Sequence, residues 1–389
     1  MGVHGGDIKT DPNKRSFIYL HSTLTLVASV AQDGDVGFLH KRRELEAEFV
    51  RLPYIEQTGI RAGDYFISPR LETWENLSDS CVLSTRGWIL QESILSPRKL
   101  LFGKDQMHWE CQEHAWDETD TLFVHNPFNN SRPMDLPKLL TDMTQSYKSI
   151  FNYYDSWYLL VSKYSRRHLT FKEDKFPAIQ GLAGLIQRYL GCHYAAGLWE
   201  EDLPYGLLWS SHGPTSTQAS SSRAPTWSWA SLDSPIEYTL ERRDGGSIIE
   251  ISDIKFNQKE SDIEHSGRTI RGMIDLIGLL QPVRIGTGPL QINYSTTFHH
   301  PVKDMAGNVV GEAIIDTIEM MNTLRVKDLF GLLVLRSVLN ARIATSLLLR
   351  KREESSTFSR VGIFSNDRIL DFPSVDLYET SSKERATLI

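Results

Sequence analysis

The sequence predicts an α+β fold, and a change of periodicity along the chain indicates it. Residues 84–95 and much of 136–190 carry apolar side chains at helical spacing. Beyond residue 225 the period becomes two, which is typical of strands with one buried face. Small polar residues at 210–224 separate the two patterns and predict a linker. The length of 389 residues allows two or three folding units.

The first elements are short. Residues 1–16 are polar and Gly-rich and are expected to be loose. Thr and Leu alternate within 22–30, which predicts a strand with one buried face. The stretch around Gly59 and Gly63 has the composition of a loop. A helix capped by its first serine is then expected over 84–95.

A hairpin is expected directly after that helix. Ser96-Pro97 ends the helix, because a residue before proline avoids the helical region. Residues 99–102 and 106–111 are β-like, and 103–105 provides the turn between them.

The C-terminal third predicts an antiparallel β unit, either a sandwich or an open barrel. Its strands are expected, in order, over 247–256, 269–280, 309–317, 329–335 and 358–364. The whole chain is thus divided into a loose start, a mixed N-terminal part, a helical section, the linker and the β unit, with boundaries 1–16, 17–125, 126–209, 210–224 and 225–389.

Charge and composition exclude several classes of protein. With 42 basic and 49 acidic residues the net charge is −7, so no chain-wide nucleic-acid footprint exists and no nucleic-acid partner is expected. No apolar run has the length of a membrane span, and the first residues resemble neither a secretory signal nor a transit peptide. Three cysteines fit a reducing compartment. The expected location is the cytoplasm, with the nucleus as an alternative.

The helix over 84–95 carries the strongest candidate site. Trp88 and Glu92 are four residues apart and share one stripe of the helix, which Gln91 and Arg86 flank. A carboxylate against an indole loses hydration, which raises its pKa and suits it to proton transfer or to binding a ribose hydroxyl. The alternative is structural: Trp88 belongs to the core, and Glu92 pairs with a basic residue such as Arg86 or Arg98.

No metal site is predicted. His108, Cys111 and His114 are spaced by three, but a strand places His108 and Cys111 on opposite faces, and zinc needs four converging ligands. For Cys192-His193, a buried inert cysteine is favoured over a nucleophile.

The aromatic segment 225–230 contains Trp227 and Trp229, which would face the same side of a strand. No basic residues interleave with them after Arg223. A packing role between the helical section and the β unit is therefore favoured over a platform for stacking bases.

Several segments follow one another in a characteristic order. They are Arg86-Gly87-Trp88-Ile89-Leu90-Gln91-Glu92, Ser96-Pro97-Arg98, Phe102 to Cys111, and later 157–183, 197–199, 207–209, 224–231, 360–364 and 387–389. Together they resemble the fungal heterokaryon incompatibility (HET) domain from about residue 17 onward. The Ser-Tyr-x-Trp-Gly and Asp-Ala-Leu-Cys-Ile-Asn-Gln patterns that open that domain have no counterpart here, so a truncated form lacking its first two sequence blocks is expected.

The resemblance implies a fold and a chemistry. The HET domain is thought to be related to the TIR fold, so 17–125 would be an incomplete TIR-like α/β remnant with part of a parallel sheet. Some TIR domains cleave NAD with a glutamate on a helix after a tryptophan. By that analogy Glu92 would be catalytic, supported by Trp88, Gln91 and Arg86, with NAD as a substrate and no bound cofactor.

Three functions stay open. The first is an interaction and signalling module in fungal self/non-self recognition and programmed cell death. The second is a truncated accessory or regulatory protein associated with a specialised-metabolite gene cluster, and the third is a TIR-like NAD glycohydrolase. The missing blocks would supply half of the pocket, so no activity is expected in this form. An unpaired sheet edge predicts a protein partner or self-association through residues 17–40.

Overall fold

The computed structural model of the chain describes residues 12–31, 35, 37–39, 50–67, 71–72, 77, 81–111, 115–118, 154–212, 223–238, 245–247, 250–256, 272–286, 299–317, 319–320, 328–337, 344–352, 356–366, 377–379 and 381–389. They contain helices and strands in separate regions, so the predicted α+β class is confirmed. None of their helices is long and apolar enough to cross a membrane. The chain forms two compact units: an N-terminal unit, Lys14–Lys138, and a C-terminal unit, which comprises Leu139–Ile389 and Met1–Asn13.

The N-terminal unit combines two helices with two small sheets. Its elements are α1 (Pro12–Leu20), β1 (Thr25–Val27), β2 (Val50–Ile55), β3 (Arg61–Ile67), α2 (Gly87–Leu95), β4 (Arg98–Phe102), β5 (Met107–Cys111) and β6 (Ala115–Asp117). Four strands form a sheet in the order β1-β4-β5-β6, in which β1 is parallel to β4 and the other pairs are antiparallel. Strands β2 and β3 form a separate antiparallel hairpin.

Three predictions for this unit need correction. Residues 12–16 are helical rather than loose, because Pro12 fits the first turn of a helix and apolar residues follow it. The region around Gly59 and Gly63 is a hairpin rather than a loop, with Gly59 at a positive φ of 79° in its turn. The strand over 22–30 is reduced to Thr25–Val27.

The predicted helix and the hairpin that follows it are confirmed, with one change at the helix start. Ser84 lies in a 3₁₀ turn, Val82–Thr85, and α2 begins only after Arg86. The helix ends at Ser96 as expected, where the backbone is extended. Residues Arg98–Phe102 and Met107–Cys111 then pair in register, with Lys99 opposite Glu110 and Leu101 opposite His108.

The helical section of the C-terminal unit contains α3 (Asp155–Ser165), a 3₁₀ turn (Lys172–Lys175), α4 (Pro177–Leu190) and the single turn α5 (Leu203–Gly206). Two short strand pairs accompany the helices: β7 (Tyr194–Ala195) with β8 (Leu198–Trp199), and β9 (Trp209–Ser211) with β10 (Ile236–Tyr238). Helix α4 starts at a proline and ends at Gly191, whose φ of 69° is left-handed. The part of the predicted helical region that covers 136–153 lies outside the described residues.

One ten-stranded sheet forms the β region. Its strands are β11 (Gly245–Ser247), β12 (Glu250–Phe256), β13 (Gly272–Pro282), β14 (Arg284–Ile285), β15 (His300–Lys303), β16 (Val309–Ile315), β17 (Leu329–Ser337), β18 (Ala344–Lys351), β19 (Thr357–Ser365) and β20 (Lys383–Leu388). Strands β17, β13, β20, β19 and β18 close into a ring, because β18 pairs with both β17 and β19.

The β region follows the sequence pattern with two differences. The five predicted strands are present, the first of them as β11 and β12, but β14, β15, β18 and β20 were not expected. Strands β19 and β20 also run parallel, so the unit is not wholly antiparallel. The aromatic segment also lies in turns rather than in a strand, with a 3₁₀ turn over Trp229–Ser231. Both tryptophans of that segment are nevertheless fully buried.

The predicted linker is only partly described. Residues 213–222 lie outside the described residues. On one side, Ser210 and Ser211 belong to β9 and are buried. On the other side, Arg223 is buried and bonded, so the ends of the predicted linker belong to the packed structure.

Candidate functional site

Helix α1 lies against the side of α2 that carries the predicted site. The guanidinium carbon of Arg15 lies 4.2 Å from the centre of the Trp88 ring. The Nη1 atom of the same arginine is 3.9 Å from Oε1 of Glu92. Since one side chain reaches both residues, the structure confirms that Trp88 and Glu92 share a stripe of α2.

The side chain of Glu92 is largely covered by residues of α1 and does not lie in an open cleft. Its carboxylate accepts a hydrogen bond from the hydroxyl of Tyr19, and its side chain is 18% exposed. Burial raises the pKa of Glu92, while the Tyr19 bond, Arg15 and Arg86 act in the opposite direction. Burial, together with Glu92, likewise raises the pKa of Tyr19. The raised pKa expected from the sequence is therefore found, and the helix that excludes the water is α1.

Gln91 points into the same contact. Its Nε2 donates to Oγ of Ser16 over 2.9 Å. Its Oε1 is buried and has no hydrogen-bond partner among the described residues. A buried amide oxygen without a donor is costly, so this contact between α1 and α2 is not optimised for stability alone.

The sequence did not identify the ionic partner of Glu92. Arg15 forms the ion pair, whereas Arg86 and Arg98 were the residues expected for it. Arg86 still lowers the carboxyl pKa through its charge, while Arg98 is an exposed residue of β4. Arg15 was missed because it fell in the segment that was expected to be loose.

A second cluster of charges lies on the buried face of the four-stranded sheet. Lys99 and Glu110 are directly opposite each other on β4 and β5 and form an ion pair, with each side chain 4% exposed. The ammonium group of Lys99 also donates to the carbonyl oxygen and the hydroxyl of Ser93, at 3.0 and 2.9 Å. Sequence reasoning missed this pair, because it predicted the hairpin but not the register that places the two residues opposite each other.

His108 lies on the same face as Glu110. Its Nδ1 contacts Oδ1 of Asp117, and its Nε2 is buried without a partner among the described residues. Cys111 lies on the other face, as the strand pattern predicted, and His114 is outside the described residues. Within the described part of the chain no cluster of His, Cys, Asp or Glu has metal-site geometry.

Cys192 and His193 do not form a nucleophilic pair. Burial raises the pKa of the Cys192 thiol to about 11, so it is protonated at neutral pH. His193 is exposed, and its Nδ1 lies 3.0 Å from Oε1 of Glu201. The pair therefore offers no activated thiolate.

Comparison of the chain with family models, with curated proteins and with solved structures finds no match in any of the three.

Proposed function

We propose that the chain is a HET-type protein that acts through protein contacts, as an interaction and signalling module of fungal self/non-self recognition and programmed cell death. The enclosure of Glu92 carries this choice over the NAD glycohydrolase. Tyr19 donates a hydrogen bond to the carboxylate and Arg15 forms an ion pair with it, so a substrate would have to compete with both. A carboxylate that stabilises a developing oxocarbenium ion must instead face the sugar.

The surface of the N-terminal unit supports an interaction role. Strand β1 is the edge of its sheet, and Leu24 and Leu26 are exposed there. Phe17 and Ile18 of α1 are exposed as well. Exposed apolar side chains near a strand that has a neighbour on only one side among the described residues are typical of a surface that another protein covers. These four residues lie within the segment 17–40 that the sequence singled out for association.

Expression in a filamentous fungus from an inducible promoter tests the proposal. We expect the wild-type chain to reduce cell viability, and Glu92→Gln to act as the wild type does. Leu26→Asp should abolish the effect, since it places a charge on the exposed edge. Met305→Asp, at a similarly exposed turn, is the matched control and should remain active.

The same variants separate the alternatives. Purified wild-type protein should release no nicotinamide from NAD above the buffer rate. Nicotinamide release that disappears in a stably folded Glu92→Gln variant would replace the interaction module by the glycohydrolase. Induction without any loss of viability would contradict the death-related role and favour the accessory protein.

A further inference from the structure

The hairpin β2–β3 has one face made entirely of uncharged residues. The register pairs Val50 with Ile67, Leu52 with Tyr65, and Tyr54 with Gly63, and directly opposed residues point to the same side of a sheet. The rings of Tyr54 and Tyr65 meet edge to face, with centroids 5.2 Å apart. We call these five side chains, Val50, Leu52, Tyr54, Tyr65 and Ile67, the apolar hairpin face.

This face is not covered by the described part of the chain. Its five side chains belong to residues that are each between 42% and 59% exposed. The opposite face carries Arg51 and Asp64, which form an ion pair, and Arg61 bonds to the same carboxylate. The hairpin thus has the alternation of a sheet that buries one side, but nothing in the described part of the chain lies on that side.

We propose that the apolar hairpin face binds the same face of a second copy of this chain. A two-fold contact brings each patch against itself, so a charged patch would repel its twin. This face has no charge, because the ionic residues lie behind it. Two such faces together bury on the order of 1,000 Å², which reaches the lower limit for a specific interface.

Stacking would also explain how a lone hairpin persists. An isolated two-stranded hairpin is marginally stable in water. Two hairpins packed face to face, about 10 Å apart, form a small two-layer structure with a shared apolar interior. Leu52 and Tyr65, as the middle row of the face, would lie at its centre. The inference rests on the proposed function and names a second copy as one partner of the module.

Sedimentation of the full-length chain over a range of concentrations tests the contact. We expect the wild type to have the mass of two copies at micromolar concentration. Leu52→Asp should weaken the dimer at least tenfold, because it buries an unpaired charge at the centre of the interface. Leu159→Asp on α3 is the matched control, since Leu159 is 47% and Leu52 44% exposed, and it should leave the mass unchanged.

Two further measurements distinguish a lost dimer contact from a hairpin that Leu52→Asp has unfolded. Amide exchange of wild-type residues 50–67 should slow as the protein concentration rises. Mixing Leu52→Asp with Leu52→Lys should restore a dimer that neither variant forms alone. A wild type that stays monomeric, or exchange in 50–67 that is independent of concentration, would overturn the proposal.

Loss of the dimer and loss of the proposed function are distinguishable. Leu26→Asp should abolish the effect on viability and leave the mass of the dimer unchanged. Binding of the wild type to anionic lipid vesicles, with no self-association, would assign the face to a membrane surface and overturn the dimer.

Discussion

The buried arginines of the C-terminal unit and the Glu92 site of the N-terminal unit use charge in different ways. In the C-terminal unit, Arg223 and Arg360 are almost fully buried, and most of their bonds go to backbone carbonyls. In the N-terminal unit, Arg15 and Glu92 are partly exposed and meet each other, an indole and a phenol. The first arrangement binds strands and turns through their backbone carbonyls, whereas the second closes one helix over another.

Arg360 shows what the first arrangement does. Its guanidinium donates to the carbonyls of Leu207 and Trp209, pairs with Asp316, and lies 3.4 Å from the centre of the Trp209 ring. Strand β19 is thereby fixed to the helical section. Because a guanidinium offers five donors in a rigid plane, one residue can satisfy several buried acceptors at once. The buried arginine thus holds several segments of the fold together. At the contact between α1 and α2, by contrast, burial raises the pKa of Glu92, and Oε1 of Gln91 has no hydrogen-bond partner among the described residues.

The largest effect that would test this contrast is expected from Arg360→Met. The change leaves Asp316 and two carbonyls without their donor, and breaking a buried pair costs roughly 3–5 kcal/mol. Urea denaturation should show that loss in the C-terminal unit. The exposed neighbour Arg350→Met is the control and should change stability by less than about 0.5 kcal/mol. Equal effects of the two variants would contradict the structural role of Arg360.

The second expected effect is a gain of stability from Lys175→Met. Burial, with Arg223 nearby, lowers the pKa of Lys175 to about 7. The ordinary lysine pKa is 10.5. Between pH 7 and 10.5 the unfolded chain therefore binds more protons than the folded chain, so the free energy of unfolding rises with pH in this window. Near pH 7 and below, the variant should therefore be more stable than the wild type by roughly 1–4 kcal/mol.

The pH dependence distinguishes this gain from simple repacking. The advantage of Lys175→Met should shrink as the pH rises from 7 to above 10.5, because the wild-type lysine then becomes neutral in both states. The ammonium group of Lys175 donates to the carbonyl of Leu232. That carbonyl keeps a second donor in the variant, because Nη2 of Arg223 lies 3.1 Å from it. Lys163→Met, on the exposed side of α3, should show no such trend. A constant advantage at all pH values would contradict the lowered pKa.

The smallest effect is expected at Glu92, where two substitutions should act in opposite directions. Because its folded pKa is raised, the unfolded carboxyl ionises first, and stability falls as the pH rises above the unfolded value. Glu92→Gln should remove this loss and raise the free energy of unfolding at pH 7 by on the order of 1 kcal/mol. Below pH 4 the two proteins should be equally stable.

Glu92→Ala is the contrasting variant. It leaves the half-buried hydroxyl of Tyr19 without its acceptor, and losing a hydrogen bond of this kind costs about 1 kcal/mol. The melting temperature should therefore fall for Glu92→Ala and rise for Glu92→Gln. If both variants melt lower at pH 7, the ionised carboxylate stabilises the fold, and the contrast with Arg360 would disappear.

The sequence predicted features that depend on residues close together in the chain better than features that depend on distant residues. Helix α2 and the β4–β5 hairpin were predictable because their signals lie within a few residues of the element itself. The partner of Glu92 was not, since Arg15 lies 77 positions away and reaches it only through the packing of α1. The Lys99–Glu110 pair falls between these cases, because the hairpin was predicted but the register that places the two residues opposite each other was not.

The missed strands have a similar cause. Strand β20 begins with three charged residues in a row, all exposed, which hides the alternation that sequence patterns rely on. Strand β18 contains an apolar run of only three residues, 347–349, between polar ones, and so short a run does not distinguish a strand from a helix. Both segments are strands because the strands on either side supply their hydrogen bonds, β17 and β19 for β18, and β13 and β19 for β20. Those partners are distant in sequence or not recognisable from the local pattern.

The place of β20 in the sheet determines when the C-terminal unit can be completed. This strand lies between β13 and β19, and Ile274 pairs with Leu388 across more than a hundred residues. During synthesis, all other strands of the sheet leave the ribosome before it does. The ring therefore closes late, and its nascent form holds the edges of β13 and β19 open meanwhile. A premature stop codon before Lys383 would make that open form permanent. The product would then be an aggregation-prone intermediate with exposed strand edges, a target of chaperones and proteases, rather than a slightly shortened native protein.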